Sequence, residues 1–231
     1  MNSSSRPLRL TALLFAVPLA TATASAAIVS LTYNFPVSAP AGNVSDAGIP
    51  LTLRQTIAGS GIVTLTEVRV ALNLRGTTSG AGWAGDLFVS LNRAGTATSV
   101  LLNQVGVTGS NPAGSGYDGW NVTFRDNASN GDVHLGQPSG PATILTGEWQ
   151  PDGRQDPTSA TRSALLGVFN GASPDTAWHL TLADLNPTGT MLLESWSLTF
   201  TGLEAVPEPG EATLAAGALL VGFALWRRQR R

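Results

Sequence analysis

The chain has 231 residues, 42% of them hydrophobic and only 12% charged, with a formal net charge of −2 and no cysteine. Disulfides, thiol catalysis, iron–sulfur ligation and cysteine-bound zinc are thereby excluded, so burial must hold the fold together. Residues 28 to 203 carry seven arginines, no lysine and twelve acidic residues, and a segment so poor in clustered positive charge is not a nucleic-acid partner.

The first 26 residues contain Arg6 and Arg9, an apolar run from Leu10 to Ala20, and small residues at Ala24 and Ala26. This is the pattern of a secretory signal cut after Ala26. Its apolar run is too short for a span, which needs ~20 residues. Residues 27 to 48 read as a lead-in without a clear element. From there to residue 203 the chain alternates short apolar–polar segments with Gly, Pro, Asn, Ser and Thr clusters and shows no long helical period. That is an all-β pattern.

The predicted strands follow in order. Weak ones lie at Leu51 to Ile57 and Ile62 to Leu65, and then VRVALNL places Val68, Val70, Leu72 and Leu74 on one face. DLFVSLN does the same with Leu87, Val89 and Leu91. A weak strand at Val100 to Gln104 precedes WNVTF, with Trp120, Val122 and Phe124 inward. His134 to Ser163, rich in Pro, Gly, Thr and Asp, reads as a long surface excursion. The period returns in AWHLTLAD with Trp178, Leu180 and Leu182, and in SWSLTF with Trp196, Leu198 and Phe200. The expectation is a sandwich of two sheets in a single domain.

Several motifs invite chemistry. Gly80, Gly82 and Gly85 have the spacing of a dinucleotide fingerprint, but a strand rather than a helix follows them, so they read as a glycine-rich connection. His134 and His179 lack ligand-spaced neighbours and read as isolated surface residues. In FRDNASNGDVH, Asp126, Asn130 and Gly131 match positions of a calcium loop, while Ala128 and Gln137 break it. An Asn-Gly turn is the simpler reading. Sequons at Asn43, Asn121 and Asn127 matter only in a eukaryotic secretory route. Of the six tryptophans, Trp83 and Trp149 fall in predicted loops and are the candidates for stacking on a sugar ring.

Three stretches in order, GDLFVSLNRAGTATSVLLNQVG, FRDNAS and LLGVFNGASPDTAWHLTLADLNPTGTMLLESWSLTF, resemble the P domain (Homo B) found beside the catalytic domain of proprotein convertases and of many bacterial subtilisin-like proteases. The resemblance runs from about Ile49 to Gly202 and rests on Gly85 to Leu87, Phe169 to Gly171, Trp178, Asp184 and the closing SWSLTF. It implies a jelly-roll β-sandwich and, since some bacterial members bind calcium, candidate ligands Asp86, Asp126 and Asp184. TMLLES between Gly189 and Trp196 is longer than the family's usual link, so a bulge is expected there. The residues before Ile49 are too few for a protease domain, and no subtilisin-like motif occurs, so a module without catalytic residues is expected.

The C-terminal VPEPGEATLAAGALLVGFALWRRQRR, from Val206, Pro207, Glu208 and Pro209 to the cluster Arg227, Arg228, Arg230 and Arg231, resembles the PEP-CTERM sorting signal of Gram-negative bacteria that make extracellular polysaccharide. The resemblance implies an exosortase as processing partner and a transient inner-membrane association through a short transmembrane helix. The expected organisation is then a signal peptide at 1–26, a lead-in at 27–48, a P-domain-like sandwich at 49–203 and a sorting signal at 204–231. The expected function is that of an exported, non-catalytic protein of the cell envelope or extracellular matrix, meeting polysaccharide or envelope proteins. Two rivals stay open: a carbohydrate-binding module acting on exopolysaccharide, with Trp83 and Trp149 on one surface, and an accessory domain of a secreted hydrolase system.

Overall fold

The computed structural model describes residues 25–46, 48–138, 140, 142–187, 189–206 and 209–230. Ala24, Pro207, Glu208 and Arg231, and with them most of the expected signal peptide, lie outside the described residues. Residues Ala26–Ala205 make one compact unit.

Ten strands build that unit among the described residues: β1 (Ile28–Pro36), β2 (Asn43–Val44), β3 (Leu51–Thr56), β4 (Ile62–Gly76), β5 (Leu87–Arg93), β6 (Ala97–Asn103), β7 (Gly119–Phe124), β8 (Ile144–Trp149), β9 (Ala177–Asp184) and β10 (Met191–Glu204). They form two sheets, one ordered β1-β10-β4-β7-β8 with β2 on the start of β10, the other β3-β9-β5-β6. The chain is an all-β sandwich, as its period-two patterning requires.

The alternating apolar residues meet between the sheets. Val70, Leu74, Leu87, Leu91, Trp120, Phe124, Trp178, Leu180, Leu198 and Phe200 are all fully buried. The Trp178 ring lies 4.9 Å from Phe169 and 5.0 Å from Phe200, and its Nε1 donates to the Pro174 carbonyl at 2.9 Å. Each such side chain contributes roughly 1.5–3 kcal/mol by leaving water, which is how a chain without disulfides can hold this shape. The expected bulge is present: pairing between β10 and β4 slips between Leu193 and Ser195, leaving Glu194 as the extra residue.

Two regions depart from the sequence reading. The lead-in carries a full strand: β1 pairs antiparallel with β10 from Ile28 opposite Leu203 to Pro36 opposite Ser195. Its Val29, Leu31, Tyr33 and Phe35 are half-buried and alternate with the exposed Ser30, Thr32 and Asn34, a period-two signal of the same kind as in the later strands, which the lead-in reading overlooks. The supposed surface excursion supplies β8, which runs parallel to β7. A six-residue strand containing Thr146, Gly147 and Glu148 offers little alternation to read.

The C-terminal helix α1 (Pro209–Gln229) lies outside the unit formed by Ala26–Ala205. Proline at its first position suits a helix start, where no amide donor is needed. Leu219, Leu220, Val221, Phe223, Leu225 and Trp226 are exposed, and the Arg230 guanidinium stacks 4.3 Å from the Trp226 ring centre. No helix among the described residues is long and apolar enough to cross a membrane.

Candidate functional site

The glycine-rich connection between β4 and β5 is shaped by close backbone approach. A Cβ on Gly82 would lie 2.4 Å from the Asp118 carbonyl oxygen, and one on Gly85 would lie 2.2 Å from that of Ala113. The Gly82 amide donates to Asp118 Oδ1 at 2.8 Å. These glycines serve chain packing, as their strand-to-strand context predicts. Between them Trp83 is 37% exposed, and its Nε1 donates to the Ala113 carbonyl at 2.7 Å. A Cβ on Gly116 would meet the indole at 2.8 Å, so the ring rests on that backbone.

Beside this ring lies an open cavity of about 310 Å³, lined by Trp83, Asn111, Ser115, Tyr117, Gln137 and Pro138 among others. Among the described residues the buried Ser115 Oγ has no hydrogen-bond partner. Burial pushes the Tyr117 phenol upward. Trp149 is not among the residues lining this cavity. It ends β8 instead of occupying a loop, is half-buried, and donates from Nε1 to the Thr146 carbonyl at 2.9 Å. Of the two candidate tryptophans, only Trp83 lines this cavity.

The three candidate calcium ligands also separate. Asp86 and Asp184 come together where β5 pairs with β9, Asp184 lying opposite Leu87. Both are buried, and Asn186 joins them, donating from Nδ2 to Asp86 Oδ1 at 2.7 Å and from its amide to Asp184 Oδ1 at 3.3 Å. Burial, reinforced by the nearby carboxylates of Asp86 and Asp46, pushes Asp184 up to about 6. Asp126 is engaged elsewhere. Its carboxylate accepts the Leu166 and Gly167 amides at 2.9 and 2.6 Å, fastening the loop after β7 to the 3-10 turn Leu166–Phe169. Gly131 takes φ +77°, as an Asn-Gly turn demands. Among the described residues no group of three or more His, Asp or Glu is placed to hold a metal.

The largest correction concerns His134, expected at the surface and found buried. Its Nδ1 lies 2.7 Å from Asp152 Oδ2 and its Nε2 lies 3.1 Å from the Val107 carbonyl oxygen. Both partners are acceptors, so the protonated ring satisfies both contacts at once. Burial alone would pull its pKa down, but the bonded Asp152 carboxylate outweighs it and holds the imidazole above its usual value. Asp152 also accepts from Arg154 Nη1 at 3.1 Å, and Arg154 Nη2 donates to Asp132 Oδ2 at 2.6 Å. Arg162 closes the cluster through the Asp152 and Pro151 carbonyls at 2.9 and 2.6 Å.

A His–Asp pair orients imidazoles in acyl-transfer enzymes, yet here Nε2, the nitrogen that would activate a nucleophile, faces a backbone carbonyl inside the fold. The cluster therefore acts as a tie. It joins the excursion to β6, where the Asn103 amide donates to Asp152 Oδ2 at 3.3 Å and Asn103 Nδ2 to the Arg154 carbonyl at 3.1 Å. Sequence reasoning misses Asp132, Asp152, Arg154 and Arg162. The available signal is the concentration of Asp152, Arg154 and Arg162 within one supposed loop, with Asp132 just ahead of it, in a chain that has few charges elsewhere. His179 stands half-buried on the outward face of β9, as its phase predicts.

No family model matches the chain, and no curated protein matches it. Among solved structures it is similar to the serine protease of Aeromonas sobria. Against that protease in complex with its chaperone the identity is 20% and the TM-score 0.45, covering 78% of this chain and 28% of the other. Against the protease by itself the values are 20% and 0.43, covering 76% of this chain and 27% of the other. The chain thus spans under a third of the length of these neighbours.

Proposed function

We propose that this is an exported bacterial protein whose β-sandwich has a binding or structural role, without catalysis, at the cell envelope or in the extracellular matrix. In this reading the chain is delivered by the secretory signal and then sorted by an exosortase acting at the C-terminal segment. The observation that carries the proposal is the order of parts at that end: Glu204 closes the sandwich, the Val206 to Pro209 motif follows, and a separate helix finishes in an arginine cluster. Arginines on the cytoplasmic side would retain the segment until it is cut. The burial and full engagement of His134 argue against its acting as a general base.

Intact-mass measurement of the protein from its host tests this. A mature species lacking the N-terminal signal and ending near Pro209 is expected, and neutralising Arg227, Arg228, Arg230 and Arg231 should impair sorting. A dominant species still ending at Arg231 would overturn it. The carbohydrate-binding alternative now rests on the Trp83 cavity, because Trp149 does not join it.

A further inference from the structure

The four sheet edges of the sandwich are treated differently. The outer edge of β6 is occupied: the Val100 amide donates to the Ala164 carbonyl at 2.9 Å, and the Asp152 and Gly153 amides donate to the Leu101 and Val100 carbonyls at 3.0 and 2.9 Å. Strand β8 carries Glu148 beside Gly147, whose φ is +98°. Strand β3 is six residues long with Arg54 in its middle. Charge, irregular backbone and coverage are the usual means of keeping an edge from pairing with another chain.

Among the described residues, strand β1 has none of them. It runs for nine residues, IVSLTYNFP, without charge or glycine and with proline only at its last position. Among the described residues it pairs with β10 alone. Its core-facing Val29, Leu31, Tyr33 and Phe35 pack against the core yet stay half-exposed. The six-stranded sheet is wider than the four-stranded one facing it, and β1 is where that excess width leaves apolar surface uncovered.

We infer that β1 is a self-association edge, joining two copies of this chain into one continuous sheet across a two-fold axis at Thr32. A two-fold axis makes a strand pair with itself in antiparallel sense, the sense in which β1 already pairs with β10. Centred on Thr32, the register sets Leu31 opposite the partner copy's Tyr33 and Val29 opposite its Phe35, which are favourable cross-strand apolar pairs. Ser30 then faces Asn34 on the outer side. No charges confront each other anywhere along the strand, and about 30 Å of unpaired backbone gains partners. A second copy is the occupant these features select, because self-pairing requires an edge that tolerates its own reversed sequence. The inference is independent of the sorting proposal.

The test uses the full chain in mild detergent. Light scattering should return twice the monomer mass at micromolar concentration. The native chain has no cysteine, so Thr32→Cys creates a single thiol whose Cα would lie about 4.5–5.5 Å from its symmetry mate, within disulfide reach. Mild oxidation should convert it to covalent dimer, while Thr52→Cys on the β3 edge should stay monomeric on the same gel. Leu31→Lys with Tyr33→Lys sets lysine against lysine and should give monomers with a melting transition retained. Leu31→Lys with Tyr33→Glu sets opposite charges across the axis and should restore the dimer. A monomeric native chain, or equal crosslinking at positions 32 and 52, overturns the inference.

Discussion

Strand β9 and the excursion from His134 to Ser163 have similar claims on the core, yet they are held by different physics. In β9, Trp178, Leu180 and Leu182 are buried at every second position, and the stabilising interaction is non-directional apolar burial. In the excursion, Asp152 and Arg154 are buried too, but they are held by directional charge-assisted bonds to Asp132, His134 and backbone carbonyls. Burial that repeats every two residues writes itself into the sequence. Burial that depends on where a distant carbonyl lies does not.

The contrast can be broken most strongly at Trp178. Trp178→Ala should cost about 3–5 kcal/mol and lower the melting temperature of the whole sandwich in a single transition, as followed by circular dichroism. Asp152→Asn should cost about 3 kcal/mol, because it leaves the buried His134 imidazolium without its counter-charge and Arg154 with Asp132 alone. Its signature should be local: hydrogen exchange should rise within residues 132 to 164 while β9 and β10 stay protected. Equal loss of protection everywhere would mean that the excursion is no separate cooperative unit.

A gentler probe is pH. His134, facing Asp152, the Val107 carbonyl and, at longer range, Arg154, has a folded pKa above its unfolded value. The sign follows: its stabilisation is fully present below the unfolded pKa of about 6.5 and is lost as pH rises through the folded value. Protection of the excursion should therefore fall as pH rises above about 6.5, and His134→Gln should flatten that dependence.

The smallest effect should be at the last residue of β9. Asp184 keeps its proton up to about pH 6 in the fold, whereas the unfolded chain releases it near about 3.9. Stability thus declines as pH rises between those values. In metal-free buffer at neutral pH, Asp184→Asn should raise stability by about 1–2 kcal/mol, less than the full shift would give because relaxation and water soften the cost of the buried charge. If millimolar calcium raises the melting temperature of the native chain but not of this variant, the Asp86 and Asp184 corner is where the ion binds.

How much is legible follows from the same contrast. The strands around Val70, Val89, Trp120, Trp178 and Trp196 stand out because their apolar residues alternate and are buried between the sheets. Strand β1 carries the same alternation in Val29, Leu31, Tyr33 and Phe35 and is equally legible, whereas β8 escapes because its burial scarcely alternates. At the candidate site, Trp83 is visible as an aromatic residue in a glycine-rich turn. His134 is misjudged because its partners Asp152 and the Val107 carbonyl lie 18 and 27 residues away, distances at which side-chain spacing carries no information.

The pairing of Ile28 with Leu203 has a mechanical consequence. Both ends of the sandwich leave it side by side, on neighbouring antiparallel strands. Force applied between those two ends would open the β1–β10 ladder one rung after another. Force applied at Glu204 alone, with the body of the domain held by its surroundings, would instead draw β10 lengthwise between β1 and β4, both of which it bonds along most of its length. Ladder bonds lie across the strand direction, so such a pull shears many of them together. A domain hung from its C-terminal end is thus attached by a strand suited to bearing tension, and a domain stretched from both ends is not.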